Sequence, residues 1–333
     1  MPDIMLRYDM RQPDFCTATK AEMYQAALAQ CAWGEANGFA SVHISEHHGS
    51  PDGYLPAPLI FASAVASRTQ QLMMYISALI APLHDPVQLV EDLTVLDIIA
   101  QGRVIPILSA GYREEEFSAV GKTLADRRDY MEDIGPFLNR AWAGETFEYA
   151  GRTITLTPQP HSQPRPPILM GGSSRAAARR AASHADFFIP TSPRIFDMYR
   201  EELAKLGKAD PGPMPAAPST VTFLSHNPDE YWDAIAPHVQ HETNMYAQWA
   251  DKAGIDSPYV YHENTDELRD SGAYKVYRPQ ELVSAAREMI NAQPIMFHPL
   301  CGGINPERAW QSLTLWAQEA LPALREEGIV AGG

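Results

Sequence analysis

A carboxylate and two imidazoles in a row, Glu46-His47-His48, end the apolar-alternating run "SVHIS" and open onto a Gly/Pro/Asp-rich loop. Neighbouring side chains of an extended segment point to opposite faces, so Glu46 and His48 share one side and His47 takes the other. Three chemistries suit such a triplet. A carboxylate–histidine pair can fix a loop by hydrogen bonding. Imidazole and carboxylate can ligate a metal, although neither H-x-H nor H-E-x-x-H spacing accompanies them. An imidazole can also act as general acid/base or hydrogen-bond donor beside a redox cofactor.

A second candidate lies in "PILMGGSSRAAARRAA". Gly171 and Gly172 end a strand-like run, and Ser173 and Ser174 open a helix. Backbone N–H groups at a helix N-terminus, serine hydroxyls and nearby arginines make a phosphate cradle, and glycine lets the phosphate approach. The alternative is an ordinary serine N-cap, which needs one serine and no glycine pair. Arg127 and Arg128 begin another helix, where basic residues oppose the dipole; either an anion sits near them or they are plain surface residues. Ser77 and Ala78 are small residues inside the apolar run Leu72–Pro82. They would let a flat ring approach the backbone, or they simply pack within a strand. Arg113 and Glu114 to Glu116 read as a solvated helix start, with acids that suit the dipole. Cys301, ahead of Gly302-Gly303, would need a lowered pKa to act as a nucleophile.

The elements that must carry these residues alternate. Strands are predicted at Ile4–Met10, Phe39–Ser45, Leu72–Pro82, Val104–Leu108, Pro167–Met170, Phe187–Pro190, Thr220–Ser225 and Pro294–His298. Helices are predicted at Ala21–Asn37, Pro58–Arg68, Pro86–Ala100, Asp126–Trp142, Ser174–Ser183 and Pro306–Leu324, with a hairpin at Thr146–Thr157. About eight strands with helices between them is the arithmetic of an α/β fold of the (β/α)8 TIM-barrel type, in which the loops after strands carry function. Most of the candidates above fall at such a place; Ser77 and Ala78 lie inside a strand, and Arg127 and Arg128 begin a helix. A doubly wound open sheet is the alternative, but no G-x-G-x-x-G follows the first strand. We expect one domain over residues 1–333, a Pro/Ala/Gly-rich loop at Lys208–Ser219, and an insertion around Ala253–Arg278 near the barrel mouth.

Bulk properties narrow the function. The chain has 333 residues, 45% of them hydrophobic and 20% charged, and a formal net charge of -15. So acidic a surface repels phosphate backbones and anionic membranes, so neither nucleic acid nor membrane is an expected partner. The three cysteines show no C-x-x-C spacing, which argues against a disulfide scaffold or a structural zinc and fits a reducing cytoplasm. No basic-then-apolar leader begins the chain, and no apolar run is long enough to span a bilayer.

In order along the chain, "ISEHH", "ISALIAPLHDPVQLVEDLTVLDIIAQGRV", "SAGYREEEFSAVG", the helix start containing Arg128, "ILMGGSSRAAARRAASHADFFI" and "HPLCGGINPERAW" resemble the luciferase-like flavin-dependent monooxygenase family, which includes the bacterial luciferases. The resemblance implies a barrel of the bacterial luciferase-like type with flavin at its C-terminal mouth. It implies that His47 is the catalytic proton donor or hydrogen-bonding group near the reactive flavin–oxygen locus. It places Ser77 and Ala78, joined in some members by a non-proline cis peptide, against the isoalloxazine ring. It assigns the flavin phosphate to Arg128 and to the segment Gly171, Gly172, Ser173 and Ser174. Some members carry an arginine just after the fourth strand where this chain has Ala110, so one phosphate contact is missing.

The implied activity is an FMN-dependent two-component monooxygenase. A separate NAD(P)H flavin reductase supplies reduced FMN, oxygen adds to give a flavin hydroperoxide, and a small organic substrate is oxidised. Two alternatives stay open: a deazaflavin-dependent hydride-transfer enzyme on the same barrel, and a flavin-binding protein without catalysis. No metal is expected. A homodimer is, because family members often pair through barrel helices. Gly49–Pro58 and the Ala253–Arg278 insertion are expected to cover the pocket.

Overall fold

The computed structural model describes residues 2–288 and 293–330. The first half of the chain alternates, with two helices after its fourth strand: β1 (Ile4–Tyr8), α1 (Lys20–Ala36), β2 (Ser41–Ile44), α2 (Pro58–Ala66), β3 (Met73–Ile80), α3 (Pro86–Ala100), β4 (Val104–Ser109), α4 (Glu114–Ala119) and α5 (Arg127–Trp142). Local signals set several of these ends. Thr19 and Glu22 form a reciprocal capping box at the start of α1. The Asp85 side chain accepts the Val87 and Gln88 N–H groups at the start of α3, where Pro86 occupies the first turn.

A two-stranded antiparallel hairpin, β5 (Thr146–Tyr149) and β6 (Arg152–Thr155), then stands apart from the main sheet. The alternation resumes with β7 (Leu169–Gly172), α6 (Arg175–His184), β8 (Phe187–Pro190), α7 (Pro193–Lys205), β9 (Val221–Leu224), α8 (Pro228–Ala253), α9 (Thr265–Ser271), β10 (Tyr274–Tyr277), α10 (Pro279–Glu288), β11 (Ile295–Phe297), α11 (Pro306–Leu315) and α12 (Leu321–Glu326). A π-helical turn at Trp316–Ala320 divides the single C-terminal helix expected from sequence.

Nine strands form one parallel sheet in the order β10-β9-β11-β1-β2-β3-β4-β7-β8. β1 lies near the middle of that order, with the C-terminal strands on one side and β2 to β8 on the other. The sheet curls into a (β/α)8 TIM barrel, with β10 as a ninth strand beside β9. Inner-face residues from strands far apart in the order, Met5 and Arg7 of β1, Ile107 of β4, Phe187 of β8 and Met296 of β11, border one cavity, which a flat sheet does not permit. The segment 253–278 holds the end of α8, then α9, then β10, and β10 pairs in parallel with β9.

Register stacks the inner face in layers. Met5, Ser41 and Met73 are neighbours across β1, β2 and β3, and two residues further along Arg7, His43 and Tyr75 are neighbours in the same way. The outward residues between them, Leu6, Val42 and Met74, are fully buried against the helical layer.

α8 was not evident from sequence. It runs 26 residues with Pro237 inside it and buries Tyr231, Trp232, Ile235, Val239, Tyr246 and Trp249 at helical spacing among many charged positions. The turn after β11 meets it closely: a Cβ on Gly302, whose φ is +53°, would stand 2.1 Å from the His238 carbonyl oxygen. That contact fixes α8 across the C-terminal end of the barrel. Among the described residues, no helix is long and apolar enough to cross a membrane.

Candidate active site

The short strand β2 delivers His43 inward and ends just before Glu46-His47-His48. The alternation read from sequence holds. Glu46 and His48 meet each other, and His47 turns to a different partner. His47 Nδ1 lies 2.8 Å from Glu116 Oε1. The same oxygen accepts the His48 N–H at 2.9 Å and Arg113 Nη1 at 3.0 Å. An oxygen already taking two donors is an acceptor, so Nδ1 carries the proton and the neutral ring presents Nε2 as an acceptor. Arg113 also donates to the His48 carbonyl at 2.9 Å, which ties the loop to α4.

Glu116 corrects the sequence reading of a solvated acidic helix start. Glu114 and Glu115 are exposed, but Glu116 is buried at 1% exposure beside Phe117. Three successive acids look alike in sequence, and only the apolar neighbour marks the inward one. Burial pulls the His47 imidazole below its usual range. Glu116 pulls the other way and is outweighed, while Arg11 and Arg113 add to the lowering.

Glu46 is a clamp. Its Oε1 receives His48 Nε2 at 2.8 Å and His84 Nε2 at 3.1 Å, and its Oε2 accepts the Ile80 N–H at 2.5 Å. Burial alone would push this carboxyl up, but those bonds outweigh it and hold it at about 2. The hydrogen bond to Glu46 raises His48 in turn, against the opposing effect of burial. Ser45 Oγ donates to the Ser77 carbonyl at 2.9 Å, so β2 also grips β3 where the Ser77–Ala78 peptide is cis.

Around His47 stands an aromatic cage. The ring centroids of Tyr54, Tyr112, Tyr246 and Trp249 lie 4.9, 5.7, 6.2 and 4.8 Å from its own. Arg11, fully buried, places its guanidinium carbon 4.6, 4.6 and 4.5 Å from the Tyr54, Tyr246 and Trp249 rings, and bonds to Asp9 at 3.2 Å and Asp52 at 2.6 Å. Tyr54 and Tyr246 share a hydroxyl–hydroxyl bond of 2.6 Å. Few of these partners follow from local sequence pattern: Trp249 lies 202 positions from His47 and 238 from Arg11, and Tyr246 lies 192 from Tyr54.

Beneath the cage, Arg7 Nη2 pairs with Glu242 Oε1 at 3.1 Å. Glu242 Oε2 receives the Cys301 thiol, and His298 Nδ1 lies 3.3 Å from it. Glu242, His298 and Cys301 offer three metal-ligand types within 4.8 Å of one another, but the Arg7 cation already occupies the carboxylate. Burial pushes the Cys301 thiol far above its usual range, the reverse of what a nucleophile needs.

The cavity that these groups border encloses about 620 Å³, within the range of small-molecule and cofactor sites. His47, Ser77 and Ala78 line it, with Tyr54 from the loop after β2, Met214 to Pro218 from the Pro-rich loop, and Ile255 to Tyr259 from the segment after α8. Both expected covering segments therefore border the cavity, as does a third that was read only as a loop. Gly171, Gly172, Ser173, Ser174 and Arg128 are not among its lining residues. They lie beside it. Gly172 pairs with Pro190, which does line the cavity.

Ser174 caps α6 by accepting the Ala177 N–H at 3.2 Å, the ordinary alternative noted from sequence. The Ser173 hydroxyl has no protein partner among the described residues. A Cβ on Gly172 would stand 2.4 Å from Ala177 Cβ, so glycine is needed for the strand to enter α6 this closely. Arg128 is exposed at the start of α5, and Arg127 donates to the Gly111 carbonyl at 2.8 Å. Burial holds the neighbouring Arg180 guanidinium below its usual range, and Arg179 and Arg128 add like charge to it.

Comparison with known proteins gives a consistent relationship. Residues 11–286 match the family model described as luciferase-like monooxygenase. An F420-dependent glucose-6-phosphate dehydrogenase of Nakamurella multipartita is 25% identical over 97% of this chain and 97% of its own length. The oxygenase component of a flavin-dependent trigonelline monooxygenase of Acinetobacter baylyi is 26% identical over 50% of this chain and 46% of its own. Among solved structures, the oxygenating constituent of 3,6-diketocamphane monooxygenase of Pseudomonas putida, in complex with FMN, superposes with a TM-score of 0.70 at 17% identity. It covers 97% of this chain and 98% of that one, and carries the fold.

The inner layer supplies a test of the site's electrostatics. His43 stacks on Tyr75 with centroids 4.8 Å apart and an interplanar angle of 9°. Burial, and then the Arg7 charge, pull its imidazole from 6.5 to about 4. The unfolded chain therefore binds the extra proton first. His43 contributes stability that is complete above pH 6.5 and is lost as pH falls towards about 4. In His43→Phe, urea-denaturation stability is expected to fall less steeply across that window than in the parent. Equal slopes would show that His43 is not held neutral.

Proposed function

The chain belongs to the luciferase-like monooxygenase family, and from that premise we propose that it is the oxygenating component of a two-component flavin monooxygenase. It takes reduced FMN from a separate NAD(P)H flavin reductase and uses O2 to oxidise a small organic substrate. The observation that carries this reading is His47: its Nδ1–H is committed to Glu116, and it sits on the wall of a largely apolar cavity that also exposes Ser77 and Ala78.

When bound, reduced flavin supplies the electrons that activate dioxygen. The chain's own groups do the rest. Neutral His47 can accept a proton at Nε2 from a molecule in the cavity and, as the imidazolium held against Glu116, give it back, which is the donor role expected from sequence. Tyr54, Tyr112, Tyr246 and Trp249 pack around the imidazole and fix its orientation. Ser77 and Ala78, with side chains too small to stand off a planar ring, let it lie against the backbone.

The residues beside the cavity suit a phosphate. Because Ser174 is engaged as a cap, Ser173, the N–H groups at the start of α6 and Arg128 are the donors left for it. Glu132 already answers Arg179 and Arg180, at 3.1 and 3.4 Å, which leaves Arg128 to meet a phosphate. Ala110 provides no cation after β4, so the cradle depends more heavily on α6 and Arg128.

Deazaflavin-dependent hydride transfer is the second reading, favoured by the F420-dependent relative, which matches over 97% of its length. The two are separated by anaerobic titration of the protein with reduced FMN followed by mixing with oxygenated buffer. Tight binding and oxygen uptake support the first; binding of the deazaflavin alone, without oxygen uptake, supports the second.

A homodimer is part of the proposal. Ile60 of α2 and Val95, Ile98 and Ile99 of α3 are exposed on two helices that pack together, an apolar face of the kind that pairs. A solution mass of one chain would remove it. The partners are otherwise a small-molecule substrate, O2 and the reductase, in a reducing cytoplasm where the three free cysteines stay reduced.

Two substitutions test the site. His47→Ala is expected to cut turnover on the order of 10²-fold, the scale of one positioned acid/base, with flavin affinity little changed. Unchanged turnover would take the proton away from His47. Ser173→Ala is expected to weaken flavin binding by about 1 kcal/mol, one hydrogen bond to a charged group. Equal dissociation constants by fluorescence titration would remove Ser173 from the phosphate site.

A further inference from the structure

Barrel interiors are ordinarily filled by layers of branched aliphatic side chains. Below His47 this one is not. Arg7, His43 and Tyr75 are register neighbours on β1, β2 and β3, and all three border the cavity. Arg7 is rigidly held, with Nη2 on Glu242 and on the Tyr246 hydroxyl, both at 3.1 Å, and with the Tyr259 hydroxyl as a further partner. A guanidinium has five N–H donors, more than these partners use. The imidazole of His43 makes no hydrogen bond among the described residues. It stacks on Tyr75, and in its neutral form one ring nitrogen is a donor.

Charge decides what such a pair can receive. The buried set below the cage holds the Asp9, Asp52 and Glu242 carboxylates against the Arg7 and Arg11 guanidiniums. His298, flanked by Asp9 at 3.6 Å and Glu242 at 3.3 Å, at most brings it to neutrality. A carboxylate or phosphate arriving here would be an uncompensated charge in a dry interior. A neutral acceptor incurs no such cost and gains two donors.

We propose that Arg7 and His43 form a subsite for a neutral carbonyl oxygen, and that the organic substrate is an uncharged carbonyl compound. Its oxygen points down the barrel axis to this pair, and its apolar body lies against Ile107, Phe187 and Met296. The assignment rests on the oxidoreductase reading above, in that it takes the occupant to be the substrate.

The test is a binding measurement, so it is independent of turnover. The full chain, with and without FMN, is titrated calorimetrically with cyclohexanone, with its isostere methylenecyclohexane and with cyclohexanecarboxylate. The ketone is expected to bind about tenfold tighter than either, the worth of one to two hydrogen bonds. His43→Phe, which keeps a ring against Tyr75, is expected to abolish that preference. His43→Gln, which keeps an N–H donor, is expected to retain it. Arg7→Lys, which keeps the charge on Glu242, is expected to lose most of it. Equal or absent binding of ketone and alkene, or tightest binding of the carboxylate, overturns the proposal. So does a His43→Phe protein that loses affinity for FMN while keeping the ketone preference, because the pair would then serve the cofactor. Failure of the FMN reading itself appears separately, as no binding of reduced FMN with the ketone preference intact.

Discussion

The site is organised around one cation removed from water. Arg11 is fully buried, and an ion of that size in a low-dielectric interior is tolerated only with close partners. Asp9 comes from the chain just after β1, Asp52 from the loop after β2, and the Tyr246 and Trp249 rings from α8. Each element is held because releasing it would leave the guanidinium short of a counter-charge or of a π face. The rings that box Arg11 on one side enclose His47 on the other. One electrostatic requirement therefore sets the walls of the reactive pocket and helps keep His47 neutral within it. The aspartate at the loop end is fastened a second time, to His241 of α8 at 2.8 Å, so the loop and the helix close over the barrel as one unit.

What could be read in the sequence followed from strand geometry and from local order. The facing of Glu46 and His48 away from His47 needs only the two-residue period of an extended chain, and it is what the structure has. The Pro86–Ala100 helix and the Phe187–Pro190 strand match their predicted bounds because Pro86 marks one end of the first and the second is a short apolar run. Glu116 could not be read this way. Its role depends on the phase of a six-residue helix lying 69 positions from His47. α8 was obscured by its many polar residues, although its buried positions keep helical spacing. β10 was hidden because a short, half-polar run becomes a strand only when β9 offers it an edge. The two serines opening α6 divide between the alternatives that the sequence left open: Ser174 is spent on capping, and Ser173 is not.

The strand-borne part of the site behaves as a set of fixed distances. Glu46 joins three imidazole and amide donors from β2, β3 and the turn that follows, and Glu116 joins three more from the loop and α4. Each carboxylate is therefore a node, and removing one would free several donors at once, among them the buried Ile80 N–H, His47 and Arg113.

The outer wall of the cavity is made differently. Tyr54 apart, it comes from Met214–Pro218 and Ile255–Tyr259, two stretches that carry Pro215, Pro218 and Pro258 and contribute no strand to the barrel. Tyr259 is the exception, because its hydroxyl partners Arg7; the rest of these segments can lengthen, shorten or change residues without disturbing a ladder bond. The molecule thus separates heritable change into two compartments. Drift in the rim would alter which small molecule fits, while the nodes beneath stay under strict constraint. A lineage carrying this barrel can explore new compounds at little cost to its ability to fold.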